Sequence, residues 1–398
     1  MKPAPVNKKF WTPGVLVIFC FMIAGFAAII ARFTGGIGYV TNLSNARPWG
    51  LWVGVDVASG VALAAGGFTT AALAHIFGRH YYEPVTRPAL LTAALGYTFV
   101  VLGLLVDIGR SWAIWKPMLH WNTNSVLFEV AMCVMVYLNV LYIEFFPVIA
   151  EQFKGRVNLP GALSVFNAPV DGILTIGDAI LSKIMWIFII LGVVLSCMHQ
   201  SSLGSLMLIA PTKLHPLWYT PILPLLFLTS AFAVGYPMVV VETTIASSSF
   251  GLDSEIEILA PLTRITVFLL GIYMVLKIGD MAVRGTYVYL FDGTYQTNSF
   301  LIEMVLGVIV PWIMLLSEKI RQSRRCVFIA AFLIVAGVVL NRINVFIVGF
   351  RPPLSENGYF PAPGEMLVTF GLIATLMFIY RIVVTYLPVL PESKEVSS

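Results

Sequence analysis

The sequence predicts an all-α, polytopic membrane protein of about ten transmembrane helices, with two four-helix bundles (helices 2–5 and 6–9) and flanking helices 1 and 10. Of its 398 residues, 59% are hydrophobic and 11% are charged, whereas soluble domains carry about 25% charged residues. Apolar runs of about 20 residues, long enough to cross a bilayer as a helix, recur along almost the whole chain. A short sequence repeat divides these runs into two halves.

Ten apolar runs are candidate spans, and lipid permits only helices at this length because backbone polar groups must pair internally. The first run follows three lysines and is read as a retained anchor, since it is longer than a signal-peptide core. The predicted spans are 14–31, 51–77, 89–110, 125–147, 177–198, 220–247, 260–282, 299–317, 326–348 and 365–387. No loop is long enough for a soluble domain, so residues 1–398 are predicted to form a single integral membrane domain.

The distribution of lysine and arginine predicts the orientation, because cytoplasmic loops are enriched in both. With a cytoplasmic N-terminus, the inside segments hold Lys2, Lys8, Lys9, Arg79, Arg87, Lys154, Arg156, Lys319, Arg321, Arg324, Arg325 and Lys394. The outside segments hold Arg32, Arg47, Arg110, Lys116, Lys213, Arg284 and Arg351. We therefore expect a bacterial inner-membrane protein with both termini in the cytoplasm.

Two matched segments predict an internal repeat spanning 48–198 and 215–348. TNSVLFE at 123–129 returns as TNSFLIE at 297–303, and DIGR at 107–110 resembles KIGD at 277–280. Four helices per copy would leave both copies running in the same direction, as in parallel repeats about an axis along the membrane normal.

The predicted outer loops are rich in aromatic and turn residues. Interfacial tryptophan and tyrosine account for part of this pattern. Five developed loops on one face also favour a docking surface for a partner protein. They are ARPWGLW (46–52), SWAIWKPMLHWNTNS (111–125), MHQSSLGSLMLIAPTKLHPLWY (198–219), YVYLFDGTYQTNS (287–299) and FRPPLSENGYFPAPGE (350–365). The net charge of +4 requires no nucleic-acid partner.

Ionisable residues inside the spans are candidate site residues, because each costs at least about 2.5–3.5 kcal/mol in hydrocarbon. Glu129 has no basic residue within helical reach, so it must be protonated, paired across helices, or open to a polar cavity. Such a carboxyl is suited to proton transfer. Tyr97 could hydrogen-bond a carbonyl oxygen or be an ordinary core or belt tyrosine. Asp56 lies at a similar depth.

Other charged residues could belong to a functional site or could be ordinary charged residues near the membrane surface. Asp107 with Arg110, and Lys277 with Asp280, either border a site or form rim pairs at i,i+3. The same outer zone holds Glu303 and Arg342. Towards the cytoplasm, a proton path could use Glu144, Lys183, Glu242 and Asp178, although Lys183 and Asp178 could simply snorkel.

The histidines and cysteines argue against a bound cofactor. The predicted spans place no histidine at mid-membrane depth, where axial haem ligands would face one another, so no haem is expected. His199 is placed in an outer loop, as a donor or as an ordinary loop histidine. The four cysteines are isolated, and no iron–sulfur cluster or metal site is expected in this chain.

Several motifs resemble those of a known family. They are PWG-x-W (48–52), RPALL (87–91), GY (96–97), DIGR (107–110), NSVLFE (124–129), MHQSS-x-GSLM (198–207) and HPLW (215–218). Together they resemble the HybB-like membrane ("cytochrome b") subunit of periplasm-facing nickel–iron hydrogenases, within the NrfD, or polysulfide-reductase membrane-subunit, superfamily. The stretch 160–178 departs from the family by its length, which leaves the role of Asp178 open.

The resemblance implies a ten-helix protein without a redox centre of its own. Such subunits take electrons from a periplasmic, ferredoxin-like iron–sulfur subunit attached to the large and small hydrogenase subunits, and pass them to quinone. The resemblance places Glu129 and Tyr97 near the quinone and proton pathway, and matches Asp56 and Glu242 to other membrane-embedded acids.

These observations predict a subunit of a hydrogen:quinone oxidoreductase that acts on menaquinone or ubiquinone. The residues expected to take part in proton transfer are Glu129, Tyr97, Asp56 and Glu242. The residues expected to bind quinone are Tyr97, Asp107, Arg110, Glu129 and His199. One alternative is an NrfD-like subunit of a polysulfide, nitrite or cytochrome c module, and another is a secondary transporter, favoured by the repeat and the buried charges.

Overall fold

The computed structural model describes residues 3–252, 256–352 and 358–391. Lys2 and Lys394, which contribute to the predicted orientation, lie outside these ranges. Ten helices within the described residues are long and apolar enough to cross a membrane, as predicted. They are α1 (Pro13–Gly35), α2 (Trp52–Ile76), α3 (His80–Asp107), α4 (Val126–Phe153), α5 (Gly161–Ile209), α6 (Leu223–Phe250), α7 (Ile256–Arg284), α8 (Tyr295–Leu316), α9 (Arg324–Val348) and α10 (Pro363–Tyr386).

Helix α5 is much longer than the predicted span 177–198, which is wrong at both ends. Its central α-helix runs from Asn167 to Ser205, 39 residues, or about 58 Å at 1.5 Å per residue. This is about twice the thickness of a bilayer core, so α5 extends beyond the lipid. The polar segment MHQSS is still helical, and the Ser201 hydroxyl bonds within the helix, 3.2 Å from the carbonyl oxygen of Cys197.

The helices form the two predicted four-helix bundles. In the first bundle α2 packs on α3, α3 on α4, α4 on α5, and α5 returns to α2. In the second bundle α6, α7, α8 and α9 pack in the same cyclic order. The bundles meet where α2 contacts α6 and α9 and where α5 contacts α6. A duplication of sequence remains a prediction.

Helices α1 and α10 pack against each other at the side of the first bundle. Their backbones approach closely at two glycines, since a Cβ atom on Gly25 would lie 2.5 Å from the Cα atom of Gly371. The pair also contacts α2 and α3. The two ends of the described chain meet through short antiparallel strands, β1 (Pro3–Ala4) and β2 (Leu390–Pro391). This strand pairing therefore joins the segment before α1 to the segment after α10.

The loops between α1 and α2, α3 and α4, α5 and α6, α7 and α8, and α9 and α10 share one end of the bundle, which we call the aromatic end. Glu365 ties two of these loops together. Its buried Oε1 accepts hydrogen bonds from the backbone N–H groups of Asn42 (2.9 Å) and Ala362 (3.1 Å), and its Oε2 accepts from the Tyr359 hydroxyl. Burial and the Glu365 carboxylate raise the pKa of Tyr359. A Cβ atom on Gly50 would lie 2.8 Å from the Tyr359 hydroxyl oxygen, which explains the glycine of the PWGLW motif.

Candidate functional site in the first bundle

The MHQSS segment of α5 connects to the three other helices of the first bundle. The Gln200 side chain donates from Nε2 to the carbonyl oxygen of Val61 on α2, at 2.7 Å. The Ser202 hydroxyl donates to the Glu129 carboxylate on α4, at 2.5 Å. His199, the first polar residue of the segment, contacts Tyr97 on α3. A run of four consecutive polar residues therefore brings all four helices together at one level.

Tyr97 and His199 form the centre of this arrangement, and both side chains are completely buried. The Tyr97 hydroxyl oxygen lies 3.2 Å from Nδ1 of His199, and its ring packs edge-on against Tyr137 with centroids 4.5 Å apart. Nε2 of His199 has no hydrogen-bond partner among the described residues. The prediction that His199 lies in an outer loop is therefore wrong, because α5 continues through this residue to Ile209.

Glu129 lies in the first turn of α4, just after the N-cap residue Ser125. Its side chain is exposed on the surface of the chain beside the α4–α5 contact, and its Oε1 accepts the Ser202 hydroxyl. Ser202 and His199 are three residues apart on α5, so they project from the same face of the helix. The structure thus connects Glu129 to the Tyr97–His199 pair through one helical turn.

Asp56 and Asp107 lie in a second group, around α1, α2, α3 and α10, which we call the flank cluster. The Thr369 hydroxyl donates to Oδ2 of Asp56 at 2.7 Å. Arg32 of α1 covers the end of α3, donating to the carbonyl oxygens of Val106 (2.6 Å) and Ile108 (2.7 Å). The structure therefore does not place Asp56 with the Tyr97–His199 pair.

The predicted rim pairs differ from the observed contacts. No ion pair joins Asp107 and Arg110 within the described part of the chain, and Arg110 is exposed. In the second bundle Asp280 pairs with Arg284 one turn further on, at 2.7 Å, rather than with Lys277. The i,i+4 spacing lets the longer arginine reach back to the carboxylate with two N–H groups.

The remaining predicted acids lie towards the opposite end of the molecule. Glu242 of α6 lies near Thr92 on α3 and Tyr380 on α10, and its Oε1 has no hydrogen-bond partner among the described residues. Glu144 of α4 packs against Gly192 of α5. A Cβ atom on Gly192 would lie 2.6 Å from Oε1 of Glu144.

Two further polar residues lie on α5 at its predicted cytoplasmic end. Asp178 forms an ion pair with Lys154 at 3.0 Å, while Lys183 is exposed. The extended start of α5 thus places Asp178 at the surface, where it joins α5 to the end of α4.

The second bundle carries its own buried polar group around Glu303. The carboxylate accepts hydrogen bonds from the Trp218 indole (2.9 Å) and from the Asn341 and Asn344 amides (2.7 Å each). Next to it lies a cavity of about 10 Å³, lined among others by Glu303, Ser230, Tyr273 and Asn341.

Two buried cations surround this group. The Arg342 guanidinium donates to Asn341 Oδ1 (2.6 Å) and to the Ser230 hydroxyl (2.8 Å). Lys277 donates to the carbonyl oxygen of Leu217 at 2.9 Å. Glu303 is therefore fully enclosed, whereas Glu129, its counterpart in the predicted sequence repeat, is exposed.

Sequence reasoning missed the partners of the predicted residues. Gln200 and Ser202 were visible inside the MHQSS block, and the spacing of His199 and Ser202 on one helical face could have indicated them. Thr369 and Glu365 carry no local signal, because their partners lie more than 300 residues away in the chain. No group of three or more His, Cys, Asp or Glu side chains that could hold a metal ion occurs among the described residues.

The fold and the site define a class of protein: an integral membrane subunit of ten helices whose first bundle encloses titratable side chains near one end. Residues 39–352 match the family model described as polysulphide reductase, NrfD, and the chain belongs to this family of membrane subunits. It is 32% identical to the probable Ni/Fe-hydrogenase 2 b-type cytochrome subunit of Escherichia coli, covering 98% of this chain and 94% of the relative.

Two further relatives show how widely the family is used. The chain is 25% identical to the integral membrane subunit of menaquinone reductase from Nitratidesulfovibrio vulgaris, over 96% of this chain and 92% of the relative. It is 27% identical to protein NrfD of Escherichia coli, over 65% of this chain and 81% of the relative. The names of the two relatives matched over almost their full length therefore belong to different oxidoreductases, a Ni/Fe-hydrogenase and a menaquinone reductase.

Proposed function

We propose that this chain is the quinone-interacting membrane subunit of a periplasm-facing nickel–iron hydrogenase complex. The similarity to a hydrogenase b-type cytochrome subunit along almost the full length of both chains carries this proposal. The name of a second full-length relative contains menaquinone reductase, which supports quinone as the substrate. The chain would receive electrons from a ferredoxin-like iron–sulfur subunit bound at the aromatic end, which in this orientation faces the periplasm.

Reduction of a quinone consumes two electrons and two protons, and the first bundle offers side chains suited to supplying the protons. The exposed Glu129 carboxyl is accessible at the α4–α5 contact, and the Ser202 hydroxyl orients it. The Tyr97 hydroxyl fixes the imidazole of His199 through Nδ1. Nε2 of His199, which lacks a protein partner among the described residues, is then left to exchange a hydrogen bond with a substrate carbonyl.

The acids at the other end would supply protons from the cytoplasm. In this proposal Glu144 and Glu242 are intermediate proton carriers, and Asp56 is the residue of the flank cluster that takes part in proton transfer. Arg110 and Asp107 border the approach from the aromatic end. The orientation follows the lysine and arginine bias, which places both termini in the cytoplasm.

The substitution Glu129→Gln tests the proposal in the intact complex. We expect hydrogen oxidation with a soluble dye to remain at the wild-type rate, because the catalytic subunits are untouched. Quinone reduction should slow by about a hundredfold or more, the usual contribution of a general acid or base. Glu151→Gln is the matched control, since Glu151 lies on the same helix in an exposed ion pair with Arg87. An unchanged quinone rate in Glu129→Gln would remove Glu129 from the mechanism.

A different partner module is the second candidate, favoured by the similarity to protein NrfD. Purification in a mild detergent with identification of the attached subunits separates the two. Hydrogenase subunits in the preparation support the first proposal. A polysulfide, nitrite or cytochrome c module in their place supports the second, while the role of the first bundle would be retained.

A further inference from the structure

Thr369 on α10 directs its hydroxyl away from its own helix. Buried threonines in helices usually donate to the carbonyl oxygen four residues earlier. Two other threonines of α10 do so, Thr375 to Gly371 at 2.6 Å and Thr385 to Arg381 at 2.7 Å. Thr369 instead donates to Oδ2 of Asp56 on α2, at 2.7 Å. Its orientation is therefore an exception within a single helix.

The indole of Trp52 explains this exception. The carbonyl oxygen four residues before Thr369 belongs to Glu365, and Nε1 of Trp52 donates to it at 3.1 Å. Trp52 and Asp56 are four residues apart on α2, as Glu365 and Thr369 are on α10, so the two contacts lie one above the other. Trp52 is 1% exposed and Thr369 is 4% exposed, so water does not compete for either bond.

We propose that Thr369 is a positioning residue for Asp56 and that Trp52 holds Thr369 in this role. The hydroxyl fixes Oδ2 of the carboxyl, which leaves Oδ1 to exchange protons. This inference rests on the proposed function, in which Asp56 takes part in proton transfer during quinone reduction. It assigns a role to α10, a helix outside both bundles, and to the tryptophan that ends the PWGLW motif.

The test compares Thr369→Val, which keeps the shape and removes the hydroxyl, with Thr369→Ser, which keeps the hydroxyl and removes a methyl group. Each variant is purified as the complex, and hydrogen-driven quinone reduction is measured beside dye reduction. We expect valine to slow quinone reduction about three- to tenfold, the size of a lost hydrogen bond to a carboxylate. Serine should retain the wild-type rate, and Thr375→Val is the control, because the Thr375 hydroxyl donates to the Gly371 carbonyl oxygen within α10.

The opposite pattern, with serine slow and valine at the wild-type rate, would show that Thr369 only fills space and would overturn the proposal. If valine prevents assembly, Thr369→Ala replaces it in the comparison with serine. Asp56→Asn is measured in parallel. A wild-type quinone rate in Asp56→Asn refutes the role of Asp56 itself, whereas a slow Asp56→Asn with a normal Thr369→Val refutes only the role of Thr369.

Trp52→Phe provides an independent arm. Loss of the indole N–H frees the Glu365 carbonyl oxygen, and the Thr369 hydroxyl can then turn to it in the usual way. We expect Trp52→Phe to slow quinone reduction, as Thr369→Val does. The double variant should be no slower than Thr369→Val alone, because both act through one hydrogen bond. Losses that add would show that Trp52 and Thr369 act separately and would contradict the proposal.

Discussion

The hydroxyl oxygen of Tyr97 lies 3.2 Å from Nδ1 of His199, across the centre of the first bundle. Both side chains are completely buried, and a buried polar group left without its hydrogen bond destabilises the folded protein. The contact joins α3 to α5 at a depth where neither residue has an alternative water partner. The two side chains therefore form a buried hydrogen-bonded pair between α3 and α5.

Tyr97→Phe should leave the complex assembled but impair quinone reduction. The ring packing on Tyr137 survives the change, while His199 loses the partner of its Nδ1 and can adopt either tautomer. We expect at least about a tenfold slower quinone reduction, with dye-linked activity unchanged. Tyr142→Phe is the control, because that hydroxyl bonds to Thr98 at an exposed position. Equal quinone rates in both variants would mean that the Tyr97 hydroxyl has no role in the reaction.

The sequence predicted the helices far better than the contacts between them. Hydropathy located all ten spans because the bilayer imposes a minimum length on each apolar run. It failed at His199, since polar residues at the end of an apolar run look like a loop, whereas in the folded protein their side chains bond to the neighbouring helices. Likewise, local spacing paired Lys277 with Asp280, although tertiary packing buries the lysine beside Leu217 instead.

His215, in the loop between α5 and α6, should make the aromatic end sensitive to acid. Burial, with a smaller contribution from Arg351, lowers the pKa of His215 to about 4, while an unfolded histidine titrates near 6.5. The unfolded chain therefore binds more protons between these values. The contribution of neutral His215 to the free energy of unfolding is complete above about pH 6.5 and is lost as the pH falls towards 4.

His215→Asn removes this titration and keeps an acceptor for the Leu217 N–H, which now donates to Nδ1 of His215 at 3.3 Å. Thermal unfolding in detergent should show that the free energy of unfolding falls by about 1–2 kcal/mol more in the wild type than in the variant between pH 7 and pH 5. Parallel unfolding curves for the two proteins over this range would show that His215 is protonated without cost.

Gly192→Ala should disturb Glu144 without changing any ionisable group. The added Cβ atom would lie 2.6 Å from Oε1 of Glu144, so the carboxyl must move. If Glu144 carries protons from the cytoplasm, a shift of about 1 Å should slow quinone reduction severalfold. Gly172→Ala on the same helix is the control, because its Cβ atom meets nothing within 4 Å. A wild-type rate for Gly192→Ala would place Glu144 outside the proton path.

Glu303→Gln should destabilise the protein, whereas the same change at Glu129 should not. Both oxygens of Glu303 accept N–H donors, from Asn341 on Oε1 and from Trp218 and Asn344 on Oε2. A glutamine replaces one of these acceptors with a donor, so at least one buried N–H group loses its partner. This costs about 1–3 kcal/mol, and the buried Arg342 and Lys277 side chains also lose their compensating negative charge.

Thermal unfolding of the two variants measures the difference. Glu129 is exposed and accepts a single hydroxyl group, which a glutamine oxygen also accepts, so Glu129→Gln should stay within about 0.5 kcal/mol of the wild type. The two halves would then differ as their structures do, with an enclosed stabilising carboxylate in the second bundle and an accessible one in the first. Equal unfolding midpoints for the wild type and Glu303→Gln would show that the three N–H donors around Glu303 add no net stability and would contradict this prediction.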